Sequence, residues 1–168
     1  MDNKELSRSI VNSLKAAGIK RRAYSIKCEY CGYSSAATIT VKDLHIKLSD
    51  IENAVNSFEK IDRDERTGEI LEGGNTYVFI DYDYDMMENA ISEKLELANS
   101  LRNKALENNN EGFLLAENNS VKVILFAVDG IAYMFDKKTS KTIDRTHAID
   151  QYQIARILVN FENKNTIR

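Results

Sequence analysis

Leu6, Ile10 and Leu14 recur at every fourth position and Val11 widens them into a stripe, the spacing of a helix with one buried face. Gly18 stands where a glycine would end that helix in the left-handed conformation. The period then changes to two. Tyr24, Ile26, Cys28 and Tyr30 alternate with Ser25, Lys27 and Glu29; after Gly32, Ala37, Ile39 and Val41 alternate with Thr38 and Thr40. This predicts a β-hairpin closed around Cys31-Gly32-Tyr33, with Tyr24 and Tyr30 packed under a helix and Tyr33 exposed at the turn. Ser49 and Glu52 have capping-box spacing, so Ser49 is expected to open a helix that carries Ile51, Val55 and Phe58 on one face. Residues 60–75 are polar and hold Gly68, Gly73 and Gly74, and loops of this length in compact domains are usually functional or mobile. Thr76–Asp81 reads as a third strand.

In the second half, Met87, Ile91, Leu95, Ala98, Leu101 and Ala105 form the stripe of a long helix, expected to be capped by Asp85 with Glu88 three positions on. The Asn108-Asn109-Asn110 run is the natural break after it. A meander follows: Phe113–Glu117, an Asn118-Asn119 turn, Val121–Val128, an Asp129-Gly130 turn and Ile131–Asp136. Asp-Gly between two apolar runs is a strong hairpin signal. Lys137–Lys141 turns into a fourth strand, and Ile149, Ile154, Ile157, Leu158 and Phe161 mark a terminal helix. The fold class expected is α+β. An N-terminal α-β-β-α-β unit spans 1–84, a connecting long helix spans 85–110, and a C-terminal antiparallel β-meander with a terminal helix spans 111–168, all sharing one core.

Composition narrows the setting. The chain of 168 residues is 43% hydrophobic and 29% charged, ordinary for a globular protein. No apolar run approaches the ~20 residues that cross a bilayer. The charged N-terminus shows no secretory signal. Two cysteines, Cys28 and Cys31, suggest a reducing compartment, so the cytoplasm of a host cell is the expected location, with no membrane partner.

The net charge of −3 is unevenly distributed: residues 1–58 hold nine bases against six acids, 59–111 six against fourteen, and 112–168 eight against six. Such asymmetry bears on partners and steering rather than on fold.

The helix, Tyr24-Ser25-Ile26-Lys27, Tyr30, Gly32-Tyr33-Ser34-Ser35, Thr38-Ile39-Thr40, Ile51, Val55, Phe58 and the strand with Tyr77-Val78-Phe79 together resemble one family of large polyvalent-protein-associated domains, the twenty-ninth of that series. The resemblance covers residues 4–82. It departs from the family pattern in having Tyr33 before the Ser-Ser pair and in the insert over 62–72. It implies a small α+β domain, no carried-over chemistry, and an origin in phages or conjugative elements, whose small proteins often act on host defence systems.

The candidate chemistry is sparse. Cys28-Glu29-Tyr30-Cys31 is a CxxC, but structural zinc needs four ligands, and His45 and His147 lack the spacing to complete a site. The pair ends a strand instead of opening a helix, unlike a redox CxxC, and Cys28 is in phase with the core. No nucleophile elbow, HExxH or Walker sequence occurs, and no catalytic residue, cofactor or metal is expected.

Two surfaces remain. Asp62, Asp64, Glu65, Glu69 and Glu72 lie on the long loop, alternating with Arg63 and Arg66, and Asp81, Asp83 and Asp85 run from a strand end into a helix. If all three stood on one strand face they would lie ~6.5–7 Å apart, near the phosphate spacing of a DNA strand, and could occupy a basic nucleic-acid channel. The spacing fits no EF-hand for Ca²⁺, although a carboxylate cluster could hold Mg²⁺ and serve a nuclease. The expected function is a non-enzymatic phage or mobile-element protein that binds a host protein or nucleoprotein through these acids, as an anti-CRISPR or other counter-defence inhibitor. The alternative is a single-stranded nucleic-acid-binding accessory module using Arg21, Arg22, Lys27 and Tyr33, since basic residues among aromatics suit stacking on bases.

Overall fold

Asp2 accepts a hydrogen bond from the Lys4 N–H at 2.9 Å and caps α1 (Asn3–Ala16), whose Leu6, Ile10 and Leu14 are buried as the spacing requires. At the other end Gly18 has φ +79°. Its N–H reaches the Lys15 carbonyl and the Ile19 N–H reaches Leu14, both at 3.0 Å, so the last carbonyls of α1 are satisfied. The computed structural model describes residues 2–108 and 112–163. Contacts divide the chain into two compact units between Met86 and Met87. This division lies close to the expected end of the first segment at residue 84, and not at the Asn108–Asn110 run, of which 109 and 110 fall outside the described residues.

In the first unit, β1 (Tyr24–Cys31) and β2 (Ser34–Val41) pair antiparallel from Tyr24↔Val41 to Cys31↔Ser34. Gly32 and Tyr33 form the turn, with Gly32 at φ +61°, where a II′ turn places its glycine. β3 (Thr76–Tyr82) joins β2 in parallel, from Ser35↔Thr76 to Val41↔Tyr82, giving the order β1-β2-β3. Parallel neighbours need a long crossover. Here it comprises α2 (Leu48–Val55), a short 3₁₀ turn over Asn56–Phe58, and an excursion over 59–75. Alternate residues on the covered face of the sheet (Tyr24, Ala37, Ile39 and Val41) pack with the α1 stripe, Ile51 and Val55 into one core.

Three local expectations are corrected. The residue at the cap of α2 is Lys47, with no side-chain cap bond, so Ser49 lies inside the helix and the expected capping box does not form. Phe58 falls in the 3₁₀ turn beyond that helix. Tyr30 has the covered-face phase but is 68% exposed.

The second unit contains most of α3 (Tyr84–Glu107), with Ile91, Ala98 and Ala105 buried at a spacing of seven. Its cap is Asp83, whose Oδ1 accepts from the Met86 N–H at 3.2 Å; Asp85 lies two residues on, within the first turn, correcting the expected cap. β4 (Phe113–Glu117), β5 (Val121–Phe126), β6 (Ile131–Asp136) and β7 (Thr142–His147) form an antiparallel meander in chain order. The β5–β6 turn spans residues 127–130, between paired Phe126 and Ile131, so Val128 is an exposed turn residue and not part of the strand. Asp150 caps α4 (Gln151–Glu162) by accepting from the Gln153 N–H at 2.8 Å, and Ile154, Ile157 and Leu158 are buried. Ile149 precedes the helix and is exposed.

Candidate functional site

The excursion over 59–75 is held by its own polar groups. Lys60 and Thr76 exchange backbone hydrogen bonds of 2.9 and 2.8 Å, which close its neck. Asn75, only 2% exposed, joins the two arms: its Oδ1 accepts from the Asp62 N–H and its Nδ2 donates to the Leu71 carbonyl, both at 2.7 Å. At the tip, Asp64 Oδ1 accepts from the N–H groups of Thr67 at 2.7 Å and Arg66 at 2.9 Å. These bonds favour its charged form and hold the carboxyl below its ordinary value, the Thr67 amide contributing most. Arg63 Nη1 donates to the Gly68 carbonyl at 3.1 Å. The loop is therefore ordered by polar bonds, those of its side chains added to a backbone ladder in which the Asp64 N–H donates to the Glu69 carbonyl at 2.8 Å and the Leu71 N–H to the Asp62 carbonyl at 2.9 Å.

The base of this loop is tied to the β1–β2 turn. The Gly74 N–H donates to the Tyr33 carbonyl and the Ser35 N–H to the Asn75 carbonyl, each at 2.9 Å. One end of the sheet thus displays Tyr33 at 89% exposure and Tyr30 at 68%, with Ile70 and Leu71 half-exposed on the adjoining loop. The same loop carries the exposed carboxylates of Glu65, Glu69 and Glu72, which make no ion pair among the described residues, while Asp62 pairs with Lys60 at 3.4 Å. Exposed aromatics in a polar, charged rim are the composition of a docking surface for a protein.

No family model, curated protein or solved structure was found to match this chain. Its surfaces must then be read from geometry.

The eight expected acidic residues do not form one surface. β3 runs from the loop toward the far end of the sheet, so Asp81 stands about 17 Å from Thr76 at ~3.3 Å per residue. The spaced ladder of three carboxylates is also absent: β3 ends at Tyr82, Asp83 caps α3, and Asp85 is helical, which leaves only Asp81 on the strand. The pairing ends there because β2 ends at Val41, whose carbonyl accepts the last bond from the Asp83 N–H at 2.8 Å, and Asp83 then caps the helix; beside it the Tyr82 hydroxyl donates to the Ile46 carbonyl at 2.7 Å.

The expected nucleic-acid set is likewise dispersed. Arg21 is bound to its own neighbour, with Nη1 donating to the Tyr24 carbonyl at 2.8 Å and the guanidinium 5.0 Å from the Tyr24 ring centre. Lys27 points to the opposite sheet face and pairs with Glu29 at 2.6 Å. Tyr33 lies at the far end of β1 from both arginines. Cys28 and Cys31, three residues apart on an extended strand, face opposite sides and cannot share a ligand. Burial raises the Cys28 thiol above its ordinary value, and Cys31 is exposed. Among the described residues no cluster of three His, Cys, Asp or Glu side chains has metal-binding geometry, and no helix is long and apolar enough to cross a membrane. His45 and His147 are both exposed and belong to different units.

Sequence reasoning missed Tyr30, Ile70, Leu71 and Asn75. The apolar pair Ile70-Leu71 inside a polar stretch was the available signal, whereas the role of Asn75 depends on partners that only the folded loop supplies.

Proposed function

We propose that this protein is a non-enzymatic binding protein that docks on a basic, nucleic-acid-handling host protein, acting as a counter-defence inhibitor of the anti-CRISPR kind carried by a phage or mobile element. The observation that carries this reading is the ordered acidic loop, tied by hydrogen bonds to a turn that exposes Tyr30 and Tyr33. The stretch 59–75 holds six acids against three bases, so it complements a positively charged surface. Complementary charge speeds encounter and weakens with salt, while buried aromatic anchors set the lifetime of the complex. The mobile-element origin is part of this proposal and rests on the residue pattern over 4–82 alone.

The test is capture of a host nucleoprotein by immobilised full-length chain, repeated from low to high salt. Changing Glu65, Glu69 and Glu72 to Gln should slow association and flatten the salt dependence, and Tyr33→Ala should speed dissociation. Asp81→Asn with Asp85→Asn should leave both unchanged. Capture indifferent to the loop and tyrosine changes would sink the reading.

A further inference from the structure

At the end of the first sheet away from the turn lies a cleft of about 710 Å³, within the range of small-molecule sites. It is bounded by the segment between α1 and β1, the segment after β2 and the first turns of α2. Lys20, Arg22, Lys42 and His45 line it. The Lys42 N–H donates to the Ala23 carbonyl at 2.8 Å, a bond that fixes Lys42 beside Arg22. None of these four side chains makes an ion pair or hydrogen bond among the described residues, unlike the adjacent Arg21, which is engaged by Tyr24. Two carboxylates share the lining. Asp43 Oδ1 accepts from the His45 N–H at 3.0 Å but keeps its charge, so Asp43 and Asp50 both stand as counter-charge to the basic side chains. Ile19 and Ile46 supply apolar wall. Three cations against two carboxylates leave the concavity net positive, which favours an anion there.

We propose that this cleft binds a small phosphate-bearing molecule of mononucleotide size, with Lys20, Arg22 and Lys42 on the phosphate and the remainder against Ile19 and Ile46. Guanidinium and ammonium groups are the donors that recognise phosphate oxygens, and the apolar wall distinguishes a phosphoester from inorganic phosphate. The site lies at the opposite end of β1 and β2 from the docking surface, so either proposal can fail without the other.

The test titrates the full chain with inorganic phosphate, with a nucleoside diphosphate and with a single-stranded oligonucleotide, followed by calorimetry and amide chemical shifts. Both small ligands should bind, the nucleotide more tightly, with shifts confined to residues 17–23 and 42–53. Arg22→Gln and Lys42→Gln should each weaken nucleotide binding by about tenfold, the loss expected for one charge-assisted hydrogen bond. Asp50→Asn should tighten it, a gain that misfolding cannot imitate, and Lys27→Gln should leave it unchanged. Absence of nucleotide binding, an equal loss in Lys27→Gln, or binding of the oligonucleotide alone would overturn the proposal.

Discussion

The two ends of the β1–β2 hairpin are built by opposite means. At the turn end, polar side chains are bonded to backbone: Asn75 bridges two arms of the loop, Asp64 gathers two amides, and the turn carbonyl of Tyr33 receives Gly74. At the other end, Lys20, Arg22 and Lys42 are brought together by chain path and one backbone bond, with no ion pair or hydrogen bond to their heads among the described residues. The first end is already ordered before anything meets it, which spares a docking partner the entropy of fixing a loop. The second carries three basic side chains against two carboxylates, a charge that the fold compensates only in part. A charge pattern alone therefore does not define a surface; what matters is whether the charged groups are consumed in holding the chain or left for a ligand.

The strongest way to break this contrast is Asn75→Ala. It removes both side-chain bonds at once and leaves the Asp62 N–H and the Leu71 carbonyl without partners at a half-buried position. The expected cost is about 2–3 kcal/mol, read as lost hydrogen-exchange protection at Asp62 and Leu71. Docking should fall with it, while phosphate binding in the cleft is retained. Protection unchanged in the variant would show that the loop is held by something other than this side chain.

Periodicity made the architecture legible where neighbours in sequence are neighbours in space. The α1 stripe, the β1–β2 hairpin, the meander from β4 to β7 and the α4 stripe all follow from local spacing and turn residues. What stayed hidden depends on distant partners. The parallel pairing of β2 with β3 joins segments separated by the whole crossover, and nothing in either strand encodes the direction. The phase of Tyr30 identified its face of the sheet but not its exposure there. The cleft gathers Lys20, Arg22 and Lys42 from two segments, so only Arg22 had been singled out, and for a different surface. The Asp81–Asp85 run is legible as a strand end passing into a helix, yet which aspartate caps that helix depends on the folded turn, where Asp83 and not Asp85 accepts from the Met86 N–H.

That last ambiguity can be sharpened by comparing single substitutions at the start of α3. Asp83→Ala removes the cap bond to Met86 and should cost about 1 kcal/mol, seen as faster exchange of the first-turn amides. Asp85→Ala loses only a charge near the helix N-terminus and should cost about 0.3–1 kcal/mol, shrinking with salt. Ser49→Ala, at a position that caps nothing, should stay within about 0.5 kcal/mol of the parent. A larger loss at Asp85 than at Asp83 would reverse the assignment of the cap.

The smallest effect concerns acid. In the folded loop the Asp64 carboxyl is held below its ordinary value of 3.8, first by the Thr67 amide and then by Arg66 and the Thr67 hydroxyl. A depressed folded value means that the unfolded chain takes up the proton first as pH falls. The contribution is therefore intact above the ordinary value and is lost as pH drops through the folded one. The Thr67 amide resonance should titrate with a midpoint below 3.8, and in Asp64→Ala that titration should vanish while the cleft resonances near Arg22 and Lys42 stay in place. A midpoint at or above the ordinary value would mean that the amides do not hold the carboxylate, and the turn end would lose its claim to be ordered before docking.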